Sequence, residues 1–310
     1  MNTPSNNVPG VFDSPGVAPA MISATRPFYW SVRRELWENR FIYIAPLAVA
    51  AVFLLGFLIS VIHLPGKVRG LSSLDLIEYR EIIATPYDIM SGSMMLVGLL
   101  VSVFYCLDAL YGERRDRSIL FWKSLPISDR TTVLAKASIP FLVVPLVTFA
   151  IGVTTHFIML LLSSVILLGS GASAAALWRS ISFFRMSLLL LYHLFTAHTL
   201  WPAPIYCWML LVSAWARRAP FLWAVLPPVA IAGLEGIAFH SSHFAAMLAG
   251  RFIGSASTSS STGPEIFPTN PMTHITPVEY LASHGLWIGV VVAAVFLAAA
   301  VRVRHCREPL

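Results

Sequence analysis

The densest concentration of reactive side chains in this sequence is Tyr111–Lys136, YGERRDRSILFWKSLPISDRTTVLAK. It holds six of the 21 Lys and Arg residues (Arg114, Arg115, Arg117, Lys123, Arg130 and Lys136) and three acids, Glu113, Asp116 and Asp129. Ile119, Leu120, Phe121 and Trp122 sit among them. Mixed guanidinium and carboxylate groups around an apolar patch have the makeup of a docking surface, an apolar core inside a charged rim. The same residue types also hold anionic lipid through their cations and anchor at a membrane interface through Phe121 and Trp122. The residues by themselves leave both readings open. Glu113–Ser124 is expected to be a helix ended by Pro126, with Ser128 as the N-cap of a second helix carrying Thr131–Lys136.

The other candidate groups are sparser. His193 and His198 are five residues apart, about 140° around a helix, which is poor geometry for one metal. His156 lies in a different apolar run. His240 and His243 share a helical face, but without a third ligand in register they read as interfacial or hydrogen-bonded histidines, and no metal site is expected. No H-E-x-x-H, no G-x-S-x-G and no nucleophile beside a base occurs. Ser163-Ser164 and Thr154-Thr155 suit helix packing better than catalysis. Two acids fall inside apolar runs: Asp108, near a run's end, and Glu235, flanked by apolar residues. Such groups are costly in a membrane unless they face a bundle, a cavity or a partner. Glu235 is read either as paired with an Arg or a backbone donor at the outer surface, or as a gating or dimer-contact residue. No G-x-x-x-x-G-K-[ST] phosphate loop is present. The chain therefore reads as carrying no nucleotide-hydrolysing site, no catalytic residue and no cofactor of its own.

The elements that position these groups follow from composition. Of 310 residues, 57% are hydrophobic and 12% charged, whereas a soluble domain is charged at about a quarter of its positions. Mean hydropathy is +0.74. Apolar runs of about 20 residues span a bilayer, so the fold class is an all-α membrane protein with one membrane domain, 26–310. The net charge of +6 is no argument for nucleic acid, because the placement of charge matters more. Cys106, Cys207 and Cys306 indicate no disulfide framework. Residues 1–25, rich in Pro, Ser, Asn and Gly, lack a basic start and an apolar core, and read as a disordered tail rather than a signal peptide.

Pro27–Arg40 alternates aromatics with Arg33, Arg34, Glu35 and Glu38 at helical spacing. It is expected to lie in the interface, with Trp30 and Trp37 at headgroup depth and Arg33 and Arg34 towards water, the alternative being that it extends the first span. Six transmembrane helices follow, at about 41–62, 89–110, 138–168, 187–214, 220–239 and 284–301. An amphipathic helical run, LSSLDLIEYREII, precedes the second, and another, LWRSISFFRM, precedes the fourth. Pro140 and Pro145 are expected to bend the third span, and Trp201-Pro202-Ala203-Pro204 to kink or break the fourth. Residues 240–283 read as a polar loop with a low-complexity middle.

With six spans both termini share one side. Four Lys and Arg precede the first span on that side, six lie after the second, two in Trp215–Ala219 and three in the C-terminal tail, against six on the other side. The positive-inside rule then places both termini and Tyr111–Lys136 in the cytoplasm.

The order ERRDRSILFWKSLPISD, followed by a Lys at the foot of the next span, resembles the permease subunits of ABC-2 type exporters. The run PIYCWMLLVSAWARRAPFLWAVLPP and the intramembrane Glu235 after it are also similar to that family, as is the first interfacial helix. The resemblance covers about Pro27 to Arg304. It implies a cytoplasmic coupling helix between helices 2 and 3, seated in a groove of a separate ATPase subunit that holds the ATP and Mg. It puts Glu113, Arg114, Arg117, Ile119, Trp122, Leu125, Pro126 and Lys136 at or near that contact. It implies a second permease chain, identical or related, in a bacterial inner (cytoplasmic) membrane, and outward transport; the apolar spans, with few ionisable groups, suit a hydrophobic or amphipathic substrate. Ser255–Asn270 matches no pattern of the family. Two other classes stay open: an ATPase-independent secondary transporter or haem-binding membrane protein using Glu235 and the span histidines, and a non-transporting membrane anchor for an ATPase.

Overall fold

Six helices are long and apolar enough to cross a membrane: Phe41–Val61, Ile82–Arg115, Asp129–Gly169, Leu177–Leu200, Pro220–Phe239 and His284–Cys306. The structure, a computed structural model, describes residues 25–66, 76–116, 128–171, 174–253 and 277–306. No strand occurs among them. Of the expected tail, only Thr25 falls within the described residues, where it starts the first helix. Arg117, Ile119, Trp122, Leu125 and Pro126 lie outside them, as does Ser255–Asn270.

The chain opens with α1 (Thr25–Glu38), then α2 (Phe41–Val61), the first span. The second span differs from the expectation. The amphipathic run and the apolar run form one helix, α3 (Leu76–Asp108), through Pro86. The hydrophobic stripe of the first joins the buried face of the second at Ile83, Tyr87 and Met90, so no turn separates them. A short helix α4 (Tyr111–Arg115) closes the described part of this arm.

The third span begins earlier than hydropathy alone indicates. Helix α5 (Asp129–Ser138) runs into α6 (Val144–Gly169) through a π-turn, Ile139–Val143. Ser128 is extended, and its hydroxyl accepts from Thr131 N at 3.1 Å, as expected of the N-cap. Pro140 has no amide to give Lys136 O, so Ile139 N takes that carbonyl, and Val144 N reaches back five residues to Ile139 O.

The fourth span is broken, as its prolines demand. After the short α7 (Ala174–Ser180) come α8 (Phe183–Phe195), a π-turn at Thr196–Leu200 and, past Trp201-Pro202, α9 (Ala203–Trp215). Helix α10 (Pro220–Phe239) is the fifth span, at the expected boundaries. Residues 240–283 are not all loop: α11 (His243–Ile253) and α12 (Pro277–Ala282) lie there. The sixth span, α13 (His284–Cys306), runs one turn further than expected, because Arg304 is buried in a polar cluster instead of ending the helix in water.

Helix α13 packs most extensively on α9, while α2 packs on α3 and α6. One core cluster joins Leu99, Tyr105 and Cys106 of α3 to Ile139, Val144, Tyr206 and Leu210. A second, towards the other end of the bundle, joins Phe57, Tyr87, Met90 and Met94 to Met159, Leu160 and Met186. Helix α10 sits at the edge, with Ala224 its one buried residue.

Candidate functional site

Glu113, Arg114 and Lys136, expected near a partner contact, are all buried within the chain. Helix α4 carries Glu113 into a gap where α1, α5 and α13 converge. Its Oε2 accepts from Arg304 Nη1 at 2.7 Å, and its Oε1 lies 3.2 Å from Lys136 Nζ and 3.6 Å from Arg34 Nη2. Lys136 Nζ also reaches Glu35 Oε1 at 2.7 Å, and Tyr105 donates its hydroxyl to Glu35 Oε2 at 2.7 Å. Arg304 Nε is 3.1 Å from Asp129 Oδ1, and His305 Nδ1 is 3.2 Å from Asp129 Oδ2. Three carboxylates (Glu35, Glu113, Asp129) thus face three cations (Arg34, Lys136, Arg304) from four helices, α1, α4, α5 and α13. Buried charge persists only when paired and hydrogen-bonded in this way.

Arg114 makes a second fastening. Its Nη2 donates to Ser213 O and to Ala216 O, both at 2.7 Å, where α9 ends. Those carbonyls have no partner one turn on, and the negative end of the helix dipole favours a cation there. Ser213 Oγ in turn accepts from Leu110 N and Tyr111 N at 3.0 and 2.9 Å, capping α4. Together the two fastenings tie both flanks of 117–127 to spans two, three, four and six and to α1.

On α1, Trp30 and Trp37 are exposed two turns apart, with the Arg33 guanidinium between them at 5.1 and 4.8 Å from the ring centroids. Arg34 departs from the expected outward role: it bridges Glu38 (2.7 Å) and Glu113.

Sequence reasoning passed over Glu35, Tyr105, Asp129, Ser213 and Arg304. One signal was available: Glu35 sits between Val32 and Leu36 on the inward face of α1, and a carboxylate on an apolar stripe demands a buried cation. Nothing local marks Arg304 or Ser213, whose partners lie 191 and about 100 residues away.

Glu235 is held at the other end of the bundle. Its carboxylate accepts from Ser241 Oγ (2.7 Å), His243 N and Phe244 N (both 2.8 Å), so it caps α11 across the turn. Helix α11 then reaches the break in span four. Arg251 Nη1 donates to Trp201 O at 3.0 Å, its Nη2 donates to Gly285 O, and its guanidinium stacks 4.5 Å from the Trp201 ring. Trp201 O is free to accept because Ile205 N has turned to Pro202 O. Gly289 permits the approach: a Cβ there would lie 2.6 Å from Arg251 Nη1. Burial lowers the Arg251 pKa and raises that of Tyr280, which donates to Thr196 O at 3.1 Å.

The histidines do not converge. His156, fully buried, has Nε2 3.2 Å from Tyr87 O and 3.3 Å from Ser91 Oγ. His193 Nδ1 pairs with Leu189 O at 2.8 Å. Among the described residues no three His, Cys, Asp or Glu side chains are arranged to hold a metal ion.

Comparison with protein-family models, with curated proteins and with solved structures finds no match.

Proposed function

We propose that this chain is the transmembrane subunit of an ABC-2 type exporter, with both termini in the cytoplasm of a bacterium and the membrane its inner one. Two permease chains, identical or related, pair with two copies of a separate ATPase, which binds and hydrolyses ATP with Mg. The coupling helix expected over Glu113–Ser124, with Trp122 among its contact residues, docks on the ATPase. ATP-driven closure pulls on it, and the spans part to release a hydrophobic or amphipathic substrate outward.

The observation that carries this reading is the fastening of the 117–127 segment at both flanks. Force applied between Asp116 and Ser128 passes through Glu113 and Arg114 on one side and Asp129 and Lys136 on the other. It therefore enters four spans and α1 through short, buried bonds, as a mechanical input requires. Glu113, Arg114 and Lys136 act here as the anchor behind the contact, and Arg117, Ile119, Trp122, Leu125 and Pro126 as the contact.

Co-expression with a separately encoded ABC ATPase tests the proposal. Co-purification and stimulated ATP hydrolysis are expected, and both should drop sharply with Trp122→Ala and Arg117→Glu. If both variants leave association and stimulation intact, the coupling assignment fails.

One observation favours a second reading. His156 is an ionisable group buried within a span, in contact with the Ser91 hydroxyl and the Tyr87 carbonyl, beside a Tyr87–Ser163 hydroxyl pair, a composition found along proton paths. An ATPase-independent secondary transporter would show uptake that collapses with the proton gradient and with His156→Leu, whether or not an ATPase is present.

A further inference from the structure

A groove of about 1070 Å³ opens on the flank of the bundle between α5 and α13, beside the buried charge cluster. Its two ends differ in chemistry. At the end nearer the helix termini lie Arg130 and Arg302, both exposed. Arg302 points away from Arg304, since two residues on a helix are about 200° apart. Arg304 and His305 also line this end, but both face Asp129. Arg130 and Arg302 have no acidic partner among the described residues. Away from the arginines the walls become aliphatic: Leu134 on one side, and Leu297, Ala298 and Val301 on the other. These α13 residues recur every three or four positions and so form one stripe. The lining of α13 from Ala294 to His305 rises about 16 Å.

We propose that this groove binds one anionic phospholipid of the surrounding bilayer. Its headgroup phosphate is held by the Arg130 and Arg302 guanidiniums, and an acyl chain lies along Leu134, Leu297 and Val301. The inference rests on the membrane-spanning fold and not on the exporter proposal. Charge complementarity selects an anion, since the two rim guanidiniums, without an acidic partner among the described residues, attract a phosphate diester, and the carboxylate in the lining, Asp129, is paired with Arg304 and His305. The aliphatic channel selects a lipid over a free anion, because Ala294 to Val301 give a chain about 10 Å of apolar wall continuous with the headgroup site. A lipid seated there would touch α5 and α13 together, the two helices that Arg304 and Asp129 join.

The test uses the full-length protein in detergent, mixed with phosphatidylglycerol and phosphatidylcholine in equal amounts, with retained lipid read by native mass spectrometry. Phosphatidylglycerol is expected to be retained preferentially, and Arg130→Gln with Arg302→Gln to weaken that preference about thirtyfold, from two cations near a lipid surface. Ala298→Trp, which fills the channel and leaves the arginines in place, should also lose the bound lipid. Neither variant touches the buried cluster, so both should melt like the parent chain in phosphatidylcholine alone. Equal retention by the arginine variant overturns the proposal. Unchanged retention with Ala298→Trp also overturns it, by removing the acyl channel from the site. Inorganic phosphate that stabilises the protein as well as phosphatidylglycerol does would make this a free-anion site. An Ala298→Cys thiol shielded from maleimide in lipid-free detergent would mean that the chain's own segment covers the groove.

Discussion

At the residue scale, Glu113 is the most consequential side chain. It accepts from Arg304 and lies 3.2 Å from the Lys136 ammonium while nearly excluded from water. Glu113→Gln keeps the shape and removes the charge, leaving two buried cations with only Glu35 and Asp129 to balance them. Breaking a buried pair by removing one partner costs about 3–5 kcal/mol. The expected outcome is a marked fall in the melting temperature of the purified protein in detergent, larger than for Asp116→Asn, whose side chain is exposed at the surface. A charge exchange separates pairing from mere polarity. Glu35→Lys with Lys136→Glu places opposite charges on the same two helices, 2.7 Å apart in the parent chain. Each single change should be severe and the double milder than the sum of the two, since contacting residues couple by about 0.5–3 kcal/mol.

At the element scale, prolines decide where helices break and which side chains repair them. Pro202 cannot donate to His198 O, and Tyr206 supplies its hydroxyl there at 2.9 Å. Pro228 cannot donate to Ala224 O, and the Trp208 indole does so at 3.0 Å, which is how α9 holds the otherwise lightly packed α10. Trp208→Phe should therefore cost about 1–3 kcal/mol, the penalty of a buried acceptor left alone. With Pro228→Ala in place, which restores the missing amide, the same Trp208→Phe change should cost clearly less. Equal costs in both backgrounds, read from melting curves, would remove this account of the α9–α10 contact.

The same elements show what was legible beforehand. Span number, the broken fourth span and the Ser128 cap are local properties of hydropathy, proline and capping chemistry, and the sequence carries them. The fusion of the amphipathic run with span two and the early start of span three were not legible. Hydropathy reports the slab a helix crosses and not where its hydrogen bonds stop. Nor could the sequence show that Glu113 and Lys136 are anchors and not surface. That depends on Arg304 and Glu35 arriving from opposite ends of the chain, and pattern carries no distance across 191 residues.

At the scale of the whole molecule, the charge cluster and the α11 strap sit at different levels of one bundle, linked by α9 and α13. The cluster binds α13 through Arg304, and Arg251 binds the start of α13 through Gly285 O and the break in span four through Trp201 O. A pull on Tyr111–Lys136 that tilts α13 must therefore strain Arg251 against the break, whose irregular backbone is the part of the bundle best able to give. Arg251→Met keeps an apolar stem over Trp201 and removes both donors. On the exporter function proposed above, it should leave ATPase association untouched and weaken the link between ATP hydrolysis and transport. Faster amide exchange is expected at residues 196–205, where the carbonyls of the break lose their cation. Exchange unchanged there, with coupling intact, would mean that α11 only covers the bundle, and that motion from the charged end stops at α9 without reaching the break.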